Sequence, residues 1–361
     1  MHRRTRRRAV GDLNLTVKDV VVRDRDTEVG LRDREFGARD TGVRLRDSLH
    51  LAPSFPTLAP EVSGRGLSPP PPWYEPAMRL QDRVVFITGA SRGIGRAVAL
   101  ACAREGADVV IAAKTEVPDN PRLPGTIHDV AREVEALGRR ALAVRLDVRD
   151  DAACEAAVAR AVEHFGRLDA LVNNAGALWW ADITDTPVKK FDLIMSINVR
   201  AAFVLSRAAL PHMVARKYGH ILMMSPPLPA DAGNPDIYAH HGAYAVSKFG
   251  MTMVAHAITA EYAEHNITAN ALWPATAVES YATLNFGLGG PEMWRKADIL
   301  ADATVALLAR EPSASRGRGW IDEDLLREEG VTDFASYQCV PGVEPPQMSF
   351  MAIPKVTETK K

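Results

Sequence analysis

Cysteine is scarce in this 361-residue chain, which contains three: Cys102, Cys154 and Cys339. Their spacing matches no metal site and no disulfide framework, so we predict reduced thiols and no bound metal. The first two fall in apolar helical patterns, where a small core residue is expected. Net charge is also nearly absent, at -1, which gives no electrostatic reason to expect nucleic acid or a membrane surface as a partner.

Long apolar runs are missing as well. No stretch approaches the ~18 consecutive apolar residues of a membrane span, and no apolar segment follows the N-terminal arginines as it would in a secretory signal. We therefore expect no membrane span and a cytoplasmic location.

Residues 1–77 lack the apolar periodicity from which a core is built. Arginine and aspartate dominate to about residue 48, and a proline-rich run ending in SPPPPWYEP follows. This composition predicts a disordered tail with a polyproline linker. Alternatives are a nucleic-acid arm, a twin-arginine export signal, a mitochondrial presequence or a proline ligand for a partner domain. The interleaved acidic residues argue against the nucleic-acid arm and the presequence, and the missing apolar segment argues against the export signal. The folded protein is expected to begin at Met78, so a start site assigned too far upstream is a further interpretation.

From Arg83 onward, short apolar strands alternate with alanine-rich amphipathic helices. Seven segments have strand character: RVVFIT, DVVIAAK, ALAVRLDV, LDALVNN, HILMMS, ITANALW and, more weakly, GRGWID. Strands that are apolar throughout and separated by helices are typical of a parallel sheet buried on both faces. We predict one α/β domain over residues 78–340, a single doubly wound, seven-stranded Rossmann-type sheet with helices on both faces, and a C-terminal tail at 341–361.

The segment TGASRGIG, residues 88–95, stands between the first predicted strand and the first predicted helix. Gly89, Gly93 and Gly95 permit a tight turn and a close approach of the backbone to a ligand, while a helix N-terminus favours a phosphate. A purely structural turn is the alternative. The position after a strand and before a helix favours a pyrophosphate site.

The GxxxGxG spacing is followed by NNAG at 173–176, by Asn198 within SINVRAAF and by YAVSK at 244–248. In this order the motifs resemble the short-chain dehydrogenase/reductase family over residues 79 to about 275. The segments MMSPPL, ANALWPATA and IDEDLLREEGV resemble one subgroup, whose longer members carry a sterol-carrier-type domain that the sequence to Lys361 lacks. The resemblance implies a nicotinamide cofactor held by the turn and the loops that follow the strands: Gly89, Ser91, Arg92, Gly93, Ile94, Gly95, Asn174, Ala175, Gly176 and Pro274.

The choice between the two nicotinamide cofactors depends on the end of the second strand, because an acidic residue there binds the ribose hydroxyls and repels a 2′-phosphate. Lys114 follows this strand and Arg92 lies in the glycine turn, with no carboxylate. Two cations predict NADP rather than NAD, unless they are solvated surface charges. By resemblance Asp147 contacts the adenine; capping of the next helix is the alternative.

Tyr244 and Lys248 lie four residues apart, on one face of a predicted helix. A carbonyl that accepts hydride also needs a proton, and a tyrosine, with an ordinary pKa of about 10, can supply and recover it when a cation stabilises the phenolate. We expect Lys248 to lower the pKa of Tyr244 towards neutrality. Such pairs are common on ordinary helices, but the glycine turn favours catalysis. The resemblance further implies that Lys248 holds the nicotinamide ribose and Asn198 a relay water.

Two positions depart from the family pattern. The family has a serine that donates to the substrate oxygen near the end of the fifth strand, about 13 residues before the tyrosine. Here Ser225 stands one place early, Pro226 occupies the expected place and counting back reaches Asp231. Ser225 is the candidate, with Tyr238 and His241 as alternatives.

The second departure follows the sixth strand, where the usual Pro-Gly is Pro274-Ala275. The loop in the family carries a hydroxyl for the carboxamide, and Thr276 is our candidate. Alanine restricts this backbone more than glycine would.

The pocket walls are predicted to be the loop at Leu178, Trp179 and Trp180, residues 226–243, and a lid at 278–290. Loop aromatics favour an apolar substrate, unless the tryptophans simply pack the loop onto the domain. We predict an NADP-dependent oxidoreductase that interconverts an alcohol with a ketone or aldehyde on a lipid-like or acyl substrate. An NADP(H)-binding redox-sensing or interaction protein with little turnover is the alternative. By resemblance a homo-oligomer is expected through the helices that contain Phe203 and Phe249.

Overall fold

A computed structural model describes residues 78–118, 124–230 and 234–348. The predicted N-terminal tail, the candidate Asp231 and the last part of the predicted C-terminal tail lie outside these residues.

Nine strands are present in the described part of the chain, and seven of them form one parallel sheet. Their bounds are β1 Val84–Thr88, β2 Asp108–Ala113, β3 Ala141–Arg145, β4 Ala170–Asn173, β5 Gly219–Met223, β6 Ile267–Trp273, β7 Ala277–Val278, β8 Trp294–Arg295 and β9 Gly319–Ile321. The sheet has the order β3-β2-β1-β4-β5-β6-β9, and β7 pairs with β8 in a separate ribbon. Because β1 lies between β2 and β4, the strand order reverses beside β1, which is where ligands bind in folds of this type.

Helices cover both faces of the sheet. The α-helices of the described residues are α1 Gly93–Arg104, α2 Ile127–Ala136, α3 Asp151–Phe165, α4 Val188–Met195, α5 Ala201–Arg216, α6 Gly242–Tyr262, α7 Tyr281–Asn285, α8 Asp298–Ala309, α9 Pro312–Ser315 and α10 Asp322–Glu328. The side chains of β1 alternate between two cores. Val85 and Ile87 pack with α1, α2 and α8, while Val84 and Phe86 pack with α3, α5 and α6. The predicted doubly wound α/β fold and all seven sheet strands are confirmed.

Local sequence explains where these elements begin and end. Thr126 caps α2 in a capping box with Asp129, and Asp150 caps α3, which ends at Gly166 with a φ of 75°. Asp150, rather than Asp147, therefore caps α3, so the capping alternative for Asp147 is wrong. Cys102 and Cys154 are buried and free, as predicted for small core residues.

One helical stretch, Val188–Arg216, is long and apolar enough by length and composition to cross a membrane. It runs from α4 through a π-helical turn at Ser196–Arg200 into α5. Half of its most apolar window is buried in the domain, and Leu205, Leu210 and Met213 belong to the core. We interpret it as a core helix.

Residues 341–348 differ from the predicted tail because they are bound to the domain. Glu344 forms an ion pair with the buried Arg295, and the backbone N–H of Met348 donates to the carbonyl of Ala275 at 2.8 Å. This segment lies beside the loop that follows β6.

Candidate active site

A cavity of about 530 Å³ opens at the carboxyl ends of the central strands. The glycine turn after β1, the NNAG loop after β4, the loop after β6 and the start of α6 all line it. Among the predicted site residues, the cavity brings together Gly89, Arg92, Gly93, Ile94, Gly95, Asn174, Ala175, Gly176, Tyr244, Lys248 and Pro274.

The glycine turn has the backbone conformation that its sequence predicts. Gly89 and Gly93 have φ angles of 66° and 54°, which favour glycine. A Cβ on Gly95 would lie 2.6 Å from Nδ2 of Asn174 and closer still to the carbonyl oxygen of Gly89. Helix α1 begins at Gly93 and has no side-chain cap, so its first N–H groups remain available to an anion.

Thr88 and Asn174 join the glycine turn to the NNAG loop. The hydroxyl of Thr88 accepts hydrogen bonds from the backbone N–H groups of Asn174, at 3.0 Å, and Ala175, at 2.9 Å. In return, Nδ2 of Asn174 donates to the carbonyl of Thr88 at 2.8 Å. These bonds place the ends of β1 and β4 in a fixed relation.

Arg92 lines the cavity from within the glycine turn. Its guanidinium donates to the hydroxyl of Thr115 at 2.9 Å and to the carbonyl of Gly125 at 3.1 Å. Its Nε is buried and has no hydrogen-bond partner among the described residues. Thr115, which follows β2, thus holds the Arg92 guanidinium in place.

Three other residues predicted to bind the cofactor do not line the cavity: Ser91, Lys114 and Asp147. Ser91 is buried and Lys114 is exposed. Asp147 accepts hydrogen bonds from the side chain of Arg149, which hold its pKa down at about 2, and Lys114 acts in the same direction. Lys114 and Asp147 are therefore near enough to interact, but Asp147 already has a partner.

Tyr244 and Lys248 lie on one face of α6, as predicted, and both line the cavity. The ammonium of Lys248 lies 5.7 Å from the centre of the Tyr244 ring and donates to the carbonyl of Met224 at 2.7 Å. Burial lowers the pKa of Lys248 to about 8 and raises the pKa of Tyr244 above its ordinary value. The expected lowering of the Tyr244 pKa is not found, because desolvation of the phenolate is the dominant effect.

Asn198 is fully buried within the π-helical turn, a local form that is frequent at functional sites. Its amide group accepts from the N–H of Ala177 at 2.8 Å and donates to the carbonyl of the same residue at 3.0 Å. It also donates to the hydroxyl of Ser247 at 2.9 Å. Asn198 therefore fixes the NNAG loop against α6, beside Lys248.

Ser225 is not brought into the cavity. It is fully buried, and its hydroxyl forms a 2.8 Å hydrogen bond with that of Thr252. Thr252 also donates to the carbonyl of Pro226 at 2.6 Å, so this pair holds the start of the proline segment onto α6. The Ser225 hydroxyl is thus bonded to α6 and is not among the groups that line the cavity.

The two alternatives to Ser225 lie near α6. Tyr238 packs edge-on against Phe249, with ring centres 5.9 Å apart. His241 is 3% exposed and stacks on Trp180 at 4.7 Å, and its Nε2 has no hydrogen-bond partner among the described residues. Neither lines the cavity; Trp180 does, and its ring centre lies 5.9 Å from that of Tyr244.

The loop after β6 enters the cavity through Pro274. Thr276 is buried and its hydroxyl donates to the carbonyl of Ala277 at 3.2 Å, so it does not line the cavity. Asp322, which the sequence analysis missed, accepts from the N–H of Ala275 at 2.8 Å and fixes this loop. The acidic run in IDEDLL conceals that Asp322 and Glu323 are buried while Asp324 is exposed.

Two of the three predicted walls are where the sequence places them, whereas none of the described residues of 226–243 lines the cavity. Leu178 and Trp180 line the cavity, whereas the Trp179 ring faces the ammonium of Lys190 at 4.7 Å. The lid contributes Val278, Ser280, Tyr281, Ala282, Thr283, Phe286 and Leu288. Sequence reasoning missed Met224, Leu272, Trp273, Leu300 and Met348, because their apolar types are equally typical of a core.

Known proteins are similar to this chain in sequence and in fold. The short chain dehydrogenase family model matches residues 83–283. Hydroxysteroid dehydrogenase-like protein 2 of Danio rerio is 45% identical over 267 residues, which are 73% of this chain and 62% of that protein. The chain therefore spans less than two thirds of the length of this relative.

Solved structures are similar over most of the described domain. One from Xanthomonas campestris is 41% identical, with a TM-score of 0.72, and the match covers 76% of this chain and 99% of that one. A metagenomic short-chain oxidoreductase in complex with NADP is 30% identical, with a TM-score of 0.52 over 64% of this chain and 91% of that one. Carveol dehydrogenase of Mycobacterium avium, in complex with NAD, is 27% identical, with a TM-score of 0.59 over 67% and 96% of the two chains. By its family model, its sequence relatives and its fold, this chain belongs to the short-chain dehydrogenase/reductase family of oxidoreductases.

Proposed function

We propose that the protein is an NADP-dependent oxidoreductase that interconverts an alcohol and a ketone or aldehyde on an apolar substrate, with Tyr244 as the general acid and base. One observation carries this proposal: Tyr244 and Lys248 line the same cavity as the glycine turn. A proton donor and a dinucleotide cradle therefore share one space.

The residues around the cavity fit a dinucleotide. Gly89, Gly93 and Gly95 leave room for a pyrophosphate at the uncapped N-terminus of α1. Gly176 lies where a Cβ would come within 3.6 Å of the ammonium of Lys248, so Lys248 can reach a ribose placed over this loop. When bound, the nicotinamide ring supplies or accepts the hydride.

Preference for NADP over NAD is supported by charge. Arg92 lines the cavity with its Nε unpartnered among the described residues, and Lys114, directly after β2, is exposed outside the cavity lining. A 2′-phosphate binds two cations more favourably than a ribose hydroxyl does. Since similar structures bind NADP in one case and NAD in another, the preference is tested on this chain below.

The pKa directions favour a protonated phenol at rest, while the raised pKa makes Tyr244 a weaker acid than the sequence predicts. Burial raises the pKa of Tyr244, so its phenol remains protonated at neutral pH, the form that carbonyl reduction requires. Lys248, with a pKa of about 8, carries a proton over most of the neutral range. Tyr244 donates its proton to the substrate oxygen, and the neighbouring ammonium stabilises the phenolate that remains.

An apolar substrate is supported by the cavity walls. Trp180, Tyr281 and Phe286 provide aromatic surface, and Val278, Leu288 and Leu300 provide aliphatic surface. Burial of an alkyl chain there is favourable by about 0.8 kcal/mol for each methylene.

A turnover assay with matched tyrosine variants tests the proposal. Purified protein is incubated with NADPH and a panel of aliphatic and aromatic aldehydes and ketones, and loss of NADPH fluorescence is followed. We expect Tyr244→Phe to lower kcat about 10²–10⁴-fold, the usual contribution of general acid catalysis. Tyr218→Phe is the control. Tyr218 directly precedes β5, at the amino end of the strand and away from the cavity, and its hydroxyl has no hydrogen-bond partner among the described residues. Equal rates for the two variants contradict the assignment of Tyr244.

A second candidate function is an NADP(H)-binding protein with little turnover, acting as a redox sensor or an interaction partner. It is favoured by the hydrogen bond that ties the Ser225 hydroxyl to Thr252, away from the cavity. Tight NADPH binding in calorimetry, without oxidation by any carbonyl of the panel, supports this candidate over the enzyme.

Assembly is a separate proposal. Phe203 on α5 and Met253 on α6 are 53% and 62% exposed, and we infer that these two helices pair between copies of the chain. Analytical ultracentrifugation of the wild type and Phe203→Glu tests this, with dissociation of the variant expected and a monomeric wild type contradicting it.

A further inference from the structure

The segment Pro341–Met348, here called the strap, reaches the catalytic cavity from the C-terminal side. Gln347 pairs with Thr276 in an antiparallel bridge, and the N–H of Met348 donates to the carbonyl of Ala275 at 2.8 Å. The strap therefore pairs with the same loop that brings Pro274 into the cavity. As a result, the side chain of Met348 becomes part of the cavity wall.

A buried arginine anchors the strap. Arg295 is 1% exposed, and its Nε donates to Glu323 at 2.7 Å while another of its guanidinium nitrogens pairs with Glu344 of the strap. Gln338 donates to the same Glu344 at 3.0 Å. Arg295 is buried but the Glu344 side chain is 66% exposed, so solvent partly screens this ion pair. The hydrogen bonds of Gln338, Gln347 and Met348 also hold the strap in place.

The same anchor also holds the loop after β6. Glu323, which binds Arg295, follows Asp322, and Asp322 accepts the N–H of Ala275 at 2.8 Å. Loop and strap are thus fixed to adjacent residues at the start of α10. Their relative position, and with it the position of Met348, is set by the domain itself.

Met348 lies between two cavities. It lines the catalytic cavity of about 530 Å³ and also a second cavity of about 250 Å³. The two share Trp273 and Pro274 as well, whereas Arg327, Asp324 and Gln347 line the second alone. The first is mainly apolar, and Met348, with Trp273 and Pro274, belongs to the lining that the two cavities share.

We propose that Met348 is a specificity-determining residue, the end wall that limits the length of the apolar substrate in the catalytic cavity. This inference rests on the proposed function, because it concerns the substrate of the same site. A methionine side chain is flexible and apolar, which suits a wall in contact with alkyl chains of several shapes. Removing it joins the two cavities and makes room for longer substrates.

Three substitutions at this position test the inference. Met348→Ala opens this wall, Met348→Trp extends it, and Met348→Leu keeps nearly the same volume. Leu284→Ala serves as a matched control, because Leu284 lies in the lid helix α7 but is 55% exposed and does not line the cavity. Thermal unfolding of each variant shows whether the fold is retained.

Two measurements are made on each variant across a series of chain lengths. The first is kcat/KM for straight-chain aldehydes with NADPH. The second is the Kd, by calorimetry, for straight-chain alcohols with NADPH-saturated protein, a combination in which no hydride acceptor is present. We expect Met348→Ala to raise the preference for long over short chains about 10-fold and Met348→Trp to lower it similarly, the size of effect that one or two methylenes have in an apolar pocket.

The outcomes separate this inference from the proposed function. If Met348→Ala and Met348→Trp both keep the wild-type preference for chain length, in turnover or in alcohol binding, Met348 does not have this role. If the wild type oxidises no NADPH with any aldehyde, the proposed enzyme fails, and a shifted alcohol-binding profile in the variants still supports the wall. If Leu284→Ala changes the profile as much as Met348→Ala, the effect is not specific to this wall and the inference is wrong.

Discussion

Replacement of Asp322 by asparagine should change the pH dependence of stability in a defined direction. Asp322 is fully buried, and its Oδ1 accepts the N–H groups of Ala275, at 2.8 Å, and Glu323, at 2.7 Å. Its Oδ2 has no hydrogen-bond partner among the described residues. Asparagine keeps one oxygen acceptor in a side chain of nearly the same shape and removes the charge.

The magnitude follows from the environment of this carboxyl group. Burial raises the pKa of Asp322 from its ordinary 3.8 to about 7; Glu323 acts in the same direction, while the two backbone N–H groups and Arg295 oppose it. Between about pH 4 and pH 7 the folded protein retains a proton that the unfolded chain has lost, so the free energy of unfolding falls as the pH rises through this range. The full difference corresponds to roughly 4 kcal/mol.

The assay is urea unfolding followed by tryptophan fluorescence at a series of pH values across this window. We expect the stability of Asp322→Asn relative to the wild type to increase with pH by up to roughly 4 kcal/mol, with most of the change complete just above pH 7. Asp324→Asn is the control, because Asp324 lies in the same helix with its side chain 71% exposed. Parallel pH profiles for Asp322→Asn and the wild type refute the reasoning.

Three further substitutions probe the cofactor side of the site. Gly95→Ala forces a Cβ against the carbonyl of Gly89, so we expect loss of NADPH binding in calorimetry, and unchanged affinity contradicts the cradle. Arg92→Ala should weaken NADPH binding about 10–100-fold, as loss of a charge-assisted hydrogen bond does, and leave NADH binding within about 2-fold; equal losses for both cofactors contradict the 2′-phosphate role. Asn198→Ala removes both hydrogen bonds to Ala177, so we expect it to lower both the melting temperature and kcat. An unchanged kcat contradicts a role for Asn198 in positioning Lys248.

The sheet and the glycine turn could be predicted because their signals are local. Every residue of β1 and β2 is buried, and apart from Thr88 and Asp108 at their ends these strands are apolar without interruption. Gly89 and Gly93 require positive φ angles that other residues rarely adopt. Tyr244 and Lys248 share a helix face because of helical geometry alone.

Side-chain direction and partners could not be predicted, because they depend on distant elements. Ser225 stands one residue from the expected place at the end of a strand, yet its hydroxyl faces Thr252 on α6. Met348 is 100 residues beyond Lys248 in the chain. No local sequence pattern shows that Arg295 would pair with Glu344 and so hold the strap beside the cavity. The raised pKa of Tyr244 results from its burial, and that burial depends on the other elements that form the cavity walls.

The hydrogen bonds between Thr88 and Asn174 have a consequence for ligand binding. Since the ends of β1 and β4 are joined through side chains and backbone alike, the glycine turn, which we propose receives the pyrophosphate, and the NNAG loop near Lys248 are held in one relative position. The distance between the glycine turn and the NNAG loop, which a bound dinucleotide has to span, is therefore already set in the folded chain. Little conformational entropy remains to be lost when the ligand arrives, and a molecule of the wrong length gains nothing from adjustment of the protein.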